Sequence, residues 1–121
     1  MDRIRVYNRT RDVVIAENAK HARGLKDRMV GLLGSEEWGD SDGLVLDPCN
    51  SVHMFGMAYA IDVLFTGQDG RVMKAVQSLR PWRMSPVVWG ARTAIELPLG
   101  RVASTGTCVG DEVALEPMEI E

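Results

Sequence analysis

Hydrophobic and polar residues alternate in several short segments of the chain, and turn-forming residues separate these segments. Ile4 and Val6 alternate with charged residues, turn residues follow at positions 8–12, and residues 13–16 are apolar again. Because successive side chains of a strand point to opposite faces, this pattern predicts an N-terminal β-hairpin. Further short strands are predicted at residues 44–46, 51–55, 61–66, 71–76, 93–97 and 112–115.

One segment has the periodicity of a helix instead. Its apolar residues recur at helical spacing: Leu25, Met29, Leu32 and Leu33. Gly34 follows directly, in a position where a glycine commonly ends a helix. We therefore predict one principal helix at residues 21–33. Together, six to eight short strands and this helix predict an α+β fold with a compact, mostly antiparallel, barrel-like β-sheet.

The length and charge of the chain narrow the class of protein. With 121 residues it fits a single domain spanning residues 1–121, because two halves would each be too small to bury a stable core. Apolar residues make up 45% and charged residues 26%, which is the composition of an ordinary globular protein. The formal net charge of −3 argues against a wholly basic surface, so we expect no nucleic-acid partner.

The predicted location is the cytoplasm. The first residues are charged and lack the apolar stretch of a signal peptide. Apolar runs such as residues 61–65 are far shorter than the roughly 20 residues of a membrane-spanning helix, so no membrane partner is expected. Without an export signal, Cys49 and Cys108 are expected to be two thiols rather than a disulfide.

Three polar residues interrupt predicted strands and are candidate site residues. The apolar residues of segment 61–65 share one face, so Asp62 points to the opposite face. Glu96 likewise points away from its two apolar neighbours, and His53 shares a face with Phe55. A carboxylate in a central strand is unfavourable unless it is paired or hydrogen-bonded. The sequence therefore predicts that these side chains have specific partners.

Two interpretations of these residues remain open. In the functional one, His53 and a carboxylate from Asp62 or Glu96 form an acid/base pair in a cleft, since imidazole titrates near neutral pH and a carboxylate fixes its tautomer. In the structural one, the carboxylates accept backbone N–H groups or pair with arginine, and His53 is a rim residue with its hydrogen bonds satisfied. We expect a ligand-contacting pocket, and the sequence does not decide between enzyme and binding protein.

Some of the same residues are possible metal ligands. Cys49 and His53 are four positions apart, and His21 or Asp62 could complete a set of four ligands. Structural zinc sites usually contain two closely spaced ligand pairs, whereas this chain has one. We therefore predict no bound metal and no cofactor.

Arginines and tryptophans are interleaved in one region. Its arginines are Arg80, Arg83, Arg92 and Arg101, and they surround Trp82 and Trp89. Such a pattern can hold an anion or stack on a base or a sugar. Of these residues, Trp82 and Arg83 are predicted to contact a small-molecule ligand. The alternative is that the arginines are solvated and both tryptophans belong to the core.

Six segments of the chain form an ordered set of motifs. They are RMVGLLG at 28–34, GLVLDPCNSVHMFGM at 43–57, IDVLFTGQDGRV at 61–72, LRPWR at 79–83, IELPLG at 95–100 and GDEV at 110–113. This set resembles the domain of unknown function 192 family, which consists of small single-domain proteins of bacteria and archaea. The resemblance covers roughly residues 28–115. Its most specific parts are the HxFxM-like segment followed by I-D-V-x-F, then E-L-P-x-G and the terminal G-D.

The resemblance implies a compact, mostly antiparallel α+β fold and no established activity. The sequence also departs from the family pattern. Ala58 stands where the family usually has a basic residue, Ala60 where it has a proline before I-D, and Ser35 where it often has an arginine. Any role of that basic residue as a partner of Asp62 or of a ligand is therefore in doubt here.

Three functions are compatible with these observations. The leading one is binding of a small ligand in a pocket rimmed by His53, Asp62 and Glu96, with Trp82 and Arg83 nearby. The second is a small hydrolase or lyase with a His–carboxylate acid/base pair. The third is a protein-interaction module that uses the segment 82–89 as an exposed anchor. Clustering of the three polar residues in an open pocket would favour the first two, whereas exposed tryptophans and a filled, closed barrel would favour the third.

Overall fold

Seven β-strands and one short α-helix form the regular structure of the computed structural model, which describes residues 2–23, 38–39, 41–55 and 57–118. The strands are β1 (Asp2–Asn8), β2 (Val13–Arg23), β3 (Asp42–Asp47), β4 (Ile61–Gly67), β5 (Val72–Leu79), β6 (Ala91–Pro98) and β7 (Val113–Pro117). The helix in this part of the chain is α1 (Arg101–Thr105). These elements confirm the predicted mostly-β α+β fold and the N-terminal hairpin.

The strands form one sheet in the order β5-β4-β6-β3-β2-β1-β7. All neighbouring pairs are antiparallel except β2 and β3, which run parallel. The sheet curls so that its two edge strands approach each other, and an isolated bridge joins Arg71 to Glu112. At this point the Val72 amide donates to the Asp111 carbonyl at 2.9 Å, and the Gly110 amide donates to the Val72 carbonyl at 2.8 Å. The result is a half-barrel whose edges meet at one end.

Closure of the half-barrel depends on Gly70. Its φ of 83° lies in the left-handed region, and a Cβ built there would lie 2.9 Å from the Val113 carbonyl oxygen of β7. The Val113 amide also donates to the Gly70 carbonyl at 2.9 Å. Only glycine allows the β4–β5 turn to approach β7 so closely.

Gly70→Ala is expected to lower the free energy of unfolding more than Gly110→Ala does. Both glycines have positive φ, 83° and 94°, but a Cβ on Gly110 meets nothing within 4 Å. The stability lost in Gly110→Ala therefore comes only from placing a side chain on a left-handed backbone, about 1–2 kcal/mol. Gly70→Ala has this loss and, in addition, the clash of its Cβ with β7. Urea denaturation of the two variants measures the difference. Equal losses would show that the β4–β5 turn does not need its close contact with Val113.

Apolar side chains cover both faces of the sheet. The inner cluster fills the concave side and includes Val6, Ile15, Val45, Leu64, Ile95, Leu97 and Val102. The outer cluster lies on the opposite face of β3, β4 and β6 and includes Leu44, Val52, Met54, Ile61, Val63, Phe65 and Val88. Because Val52, Met54 and Val88 come from irregular segments, these segments cover the outer face of the sheet as a second layer.

Two predicted elements differ from the structure. Residues 51–55 alternate as predicted, with Val52 and Met54 buried, but they form a covering segment with one isolated bridge, between His53 and Met84, instead of a strand of the sheet. Their partner segment is bracketed by Pro81 and Pro86, which lack the amide hydrogens that a continuous ladder needs. Residues 21–23 belong to β2 rather than to the predicted helix. The rest of that predicted helix, 24–33, lies outside the described residues.

The structure also bears on the membrane prediction. Among the residues that it describes, no helix has the length and apolar character required to cross a membrane.

Candidate functional site

The five predicted site residues lie in three separate places. Asp62 points to the inner face of β4, and Glu96 to the outer face of β6. The other three, His53, Trp82 and Arg83, come from the segments that cover the outer face, where all three are exposed. The structure therefore brings together only part of the predicted site.

Asp62 is a buried structural acceptor. Its side chain is 1% exposed, and Leu64, on the same face of β4, belongs to the inner cluster. One carboxylate oxygen accepts the Ser78 amide at 3.0 Å, and the other accepts the amides of Gly100 at 3.1 Å and Val102 at 3.0 Å. Asp62 thereby ties the end of β5 and the start of α1 to β4.

Glu96 is a fully buried carboxyl group in an apolar environment. It lies directly across from Leu44 of β3 and Val63 of β4, both members of the outer cluster. Within the described part of the chain, neither of its carboxyl oxygens has a hydrogen-bond partner. Burial raises the pKa of Glu96 from 4.5 to about 8, because the charged form loses its hydration. Glu96 therefore carries a proton at neutral pH.

Neither carboxylate forms the predicted acid/base pair with His53. The hydrogen bonds of Asp62 come from backbone amides on the other side of β4, and the Glu96 oxygens are unpartnered among the described residues. His53 is exposed, whereas both carboxyl groups are buried. Alternation predicted the face of each residue correctly. It did not show that His53 lies in a segment above the sheet, with its side chain in solvent.

The exposed residues instead form an aromatic row, which consists of His53, Phe55 and Trp82. The ring centroids of His53 and Phe55 are 5.0 Å apart, with an interplanar angle of 32°. The rings of Phe55 and Trp82 are stacked at 6.1 Å and 27°. Phe55 is 52% exposed and Trp82 68% exposed, so most of the row faces solvent. Met84, bridged to His53 through the backbone, extends this apolar surface.

Backbone hydrogen bonds hold the aromatic row in place. The Trp82 amide donates to the Met54 carbonyl at 2.8 Å, and the Met54 amide donates to the Arg83 carbonyl at 2.8 Å. Met54 itself is fully buried in the outer cluster. Trp82 adopts a φ of 66°, which is uncommon for a bulky residue and is retained only where the surroundings enforce it. An exposed ring is therefore presented by a constrained backbone.

The four arginines that are interleaved with the tryptophans have different roles. Arg92 pairs with Asp47 at 3.0 Å, and Arg101 donates to the carbonyls of Ile15 at 2.7 Å and Val14 at 2.9 Å. Arg80 and Arg83 are exposed and have no ion pair with another described residue. In the sequence, these two cations lie on either side of Trp82.

The alternative that both tryptophans belong to the core is wrong. Trp89 is 81% exposed and, like Trp82, lies in the irregular stretch between β5 and β6. Pro81 and Pro86 disfavour strand pairing there, so the segment lies on the surface. Trp89 has no ring contact with a described aromatic residue and is not part of the aromatic row.

The cysteines are thiols, as predicted, and no disulfide joins them. The Cys49 thiol donates to the Ser51 carbonyl at 3.0 Å, and the Cys108 thiol to the Gly106 carbonyl at 3.2 Å. Across the described ranges, no three His, Cys, Asp or Glu residues are grouped closely enough to hold a metal ion. The absence of a bound metal and of a cofactor stays a prediction.

Two important residues were missed in the sequence. One is Phe55, which is exposed by the same alternation that buries Val52 and Met54, so the strand pattern could have identified it. Asp111 is 4% exposed and accepts hydrogen bonds from Asn8 at 3.0 Å, Arg11 at 2.6 Å and the Cys108 amide at 2.9 Å. Burial raises its pKa, but the hydrogen bonds from Asn8, Cys108 and Arg11 outweigh this and leave the pKa below its usual value. The G-D motif at residues 110–111 thus has a structural role, through the carboxylate of Asp111.

Comparison with protein families gives one match over most of the chain. The model of the DUF192 family, described as an uncharacterised ACR, matches residues 6–115. A UPF0127 protein of Thermococcus sibiricus is 36% identical over 69 residues, which are 57% of this chain and 44% of that protein. The aligned part thus spans less than half the length of that relative.

Two solved structures have the same fold. A protein of unknown function from Novosphingobium aromaticivorans superposes with a TM-score of 0.78 at 24% identity, covering 93% of this chain and 83% of the other. A putative transcription regulator from Sinorhizobium meliloti gives a TM-score of 0.76 at 19% identity, covering 94% and 92%. At these identities, the likeness shows the half-barrel fold alone.

Proposed function

Because the chain belongs to the DUF192 family, whose description assigns no activity, we propose from its own geometry that it is a recognition module that binds another protein through the aromatic row. The observation that carries this proposal is the Trp82 ring, which is 68% exposed, stacked on Phe55 and fixed by a constrained backbone. Cytoplasmic location is part of the same proposal.

The exposed rings have the properties of a binding hot spot. Tryptophan contributes a large rigid surface, and its few rotatable bonds limit the entropy lost when it is covered. Stacking on Phe55 and the hydrogen bond to Met54 limit the motion of Trp82 further before any partner arrives. Pre-organisation of this kind favours binding, because less conformational entropy is lost on association.

The charge around the aromatic row indicates the chemistry of the partner. Arg80 and Arg83 lie on either side of Trp82 in the sequence, and both are exposed without a carboxylate partner among the described residues. A partner segment with an apolar or aromatic residue and adjacent carboxylates would cover the rings and pair with these guanidinium groups. We therefore expect an acidic segment with an apolar anchor rather than a basic one.

The small-ligand interpretation has less support at this surface. In such a pocket, the side chains of His53, Asp62 and Glu96 would have to meet. In the structure they point to the solvent, to the inner cluster and to the outer cluster, respectively. The aromatic row is an open surface on which these carboxyl groups cannot converge. A partner that covers the rings from outside fits this shape better.

Selection of peptides from a random-sequence display library tests the proposal. We expect enriched peptides to combine Asp or Glu with an aromatic or large aliphatic residue. Trp82→Ala should weaken their binding by about 30-fold or more, which corresponds to the loss of about 2 kcal/mol at a hot spot. Fluorescence anisotropy with a labelled synthetic peptide measures the change.

Trp89→Ala is the matched control, because Trp89 is also exposed, 81% against 68% for Trp82, but lies outside the aromatic row. It should leave peptide affinity within about two-fold of wild type, as expected for a residue outside a hot spot. Equal losses in both variants, enrichment of basic peptides, or no enrichment at all would contradict the proposal.

A further inference from the structure

A second surface, independent of the aromatic row, lies at the end of the half-barrel away from α1. The helix follows β6, whose last residue Pro98 pairs with Ile61 at the start of β4. At the other end of the same strands, Thr66 pairs with Thr93, and an open cavity of about 290 Å³ is found there. We call this cavity the barrel mouth.

The polar wall of the barrel mouth contains hydrogen-bonding groups of several types. Thr66 and Thr93 are buried, and their hydroxyl groups are hydrogen-bonded to each other. Asp47 and Arg92 form an ion pair at 3.0 Å between Oδ1 and Nε, and Gln68 lies at the exposed rim. Hydroxyl, carboxylate, guanidinium and amide groups thus border one small space, offering both donors and acceptors.

His21 supports the polar wall from behind. It is 6% exposed, and its Nε2 lies 3.5 Å from Asp47 Oδ2. This separation is an ion-pair distance, and Nε2 has no hydrogen-bond partner among the described residues. Asp47 therefore has a basic group on each oxygen, Arg92 on one side and His21 on the other. Such a carboxylate is held in place and keeps free acceptor positions.

The charges of the barrel mouth favour a neutral ligand. An anion that approaches Arg92 meets the carboxylate of Asp47, and a cation that approaches Asp47 meets the guanidinium of Arg92. A neutral molecule with several hydroxyl groups can accept from Arg92 and Gln68 and donate to Asp47. Val113 and Leu115 also line the cavity, and their apolar side chains can pack against C–H groups.

We propose that the barrel mouth binds a neutral polyhydroxylated small molecule, of the size of one sugar ring or a short polyol. The cavity volume of about 290 Å³ lies at the lower end of the range for small-molecule sites, which excludes a longer oligosaccharide from full enclosure. The lining combines hydroxyl, charged and amide groups with the apolar side chains of Val113 and Leu115, which matches a sugar, because a sugar presents both hydroxyl and C–H groups. The proposal does not depend on the function proposed for the aromatic row.

NMR titration of the ¹⁵N-labelled protein tests this inference. The probes are glucose, galactose, mannose, ribose, myo-inositol and sorbitol, each added up to about 50 mM because a single small site gives millimolar dissociation constants. We expect saturable shifts of the Gly67, Gly70 and Thr93 amides with at least one probe. Tighter binding of a cyclic probe would indicate a ligand with a sugar-like ring, and tighter binding of sorbitol would indicate an open-chain polyol.

Gln68→Ala is the principal test variant, with Gln77→Ala as its matched control. Both glutamines are exposed, but only Gln68 borders the cavity. Gln68→Ala should weaken binding by about five-fold, the effect of one net hydrogen bond, whereas Gln77→Ala and Trp82→Ala should leave it unchanged. Thr93→Val, with its fold checked by thermal unfolding, should weaken binding at least as much.

Three results would overturn the inference. One is the absence of saturable shifts with every hydroxylated probe. Another is equal affinity in the Gln68→Ala and Gln77→Ala variants. The third is a larger response of the same amides to inorganic phosphate or ethylammonium, which would assign the barrel mouth to ions.

Discussion

Raising the pH from about 5 to about 8 is expected to lower the free energy of unfolding by up to about 1.4 kcal/mol per pH unit, through Glu96 alone. The pKa of Glu96 is about 8 in the folded protein, against an ordinary value of 4.5. Between these values, the folded state holds a proton that the unfolded state has released. A rise in pH therefore favours unfolding across this window, and the contribution of Glu96 levels off below the lower pKa and above the higher one.

Urea denaturation across this pH range measures the effect. Glu96→Gln removes the titrating group and should remove most of the slope, whereas Glu17→Gln, on an exposed position of β2, should keep it. Glu96→Leu should raise the stability at pH 8, because an apolar side chain suits its neighbours Leu44 and Val63. An unchanged slope in Glu96→Gln would show that the carboxyl group is ionised in the folded protein.

Asp62→Ala is expected to lower the free energy of unfolding by about 3 kcal/mol. The substitution removes the acceptor of three backbone amides, those of Ser78, Gly100 and Val102, and a buried donor without a partner costs about 1–3 kcal/mol. Asp62→Asn should be intermediate. Its amide oxygen can still accept at the start of α1, but its NH₂ group then faces the Ser78 donor.

Asp2→Ala is the control for this measurement, since Asp2 is exposed at the start of β1. Its effect should stay within about 0.5 kcal/mol, as for most surface substitutions. Chemical denaturation compares the three variants at one pH. An Asp62→Ala variant as stable as Asp2→Ala would contradict a structural role for the carboxylate.

The strand pattern was sufficient to predict the faces of the individual residues. It predicted that Asp62 points away from Ile61 and Val63, and that Glu96 points away from Ile95, and both predictions are confirmed. Alternation depends only on local backbone geometry, which explains this success. The predicted N-terminal hairpin is confirmed as well, because β1 pairs antiparallel with β2.

The location of the site could not be predicted in the same way. Whether two side chains meet depends on strand order and on which segment covers each face, and neither is encoded by local periodicity. Segment 51–55 has the alternation of a strand, yet it lies over the sheet with His53 exposed to solvent, whereas Glu96 is buried in the sheet. The barrel mouth combines Asp47, Thr66 and Leu115 from three strands that are distant in sequence. Only the complete topology brings such residues together.

The pairing of the first strand with the last has a consequence for the kinetics of folding. β1 is hydrogen-bonded to β7, and Arg5 pairs with Glu116 at 2.9 Å across a sequence separation of 111 residues. This edge of the sheet cannot form until the chain has been synthesised through β7. Proteins dominated by such distant pairings fold in milliseconds to seconds rather than in microseconds. Until β7 is added, β1 exposes an open strand edge, so the nascent chain is prone to aggregation up to that point.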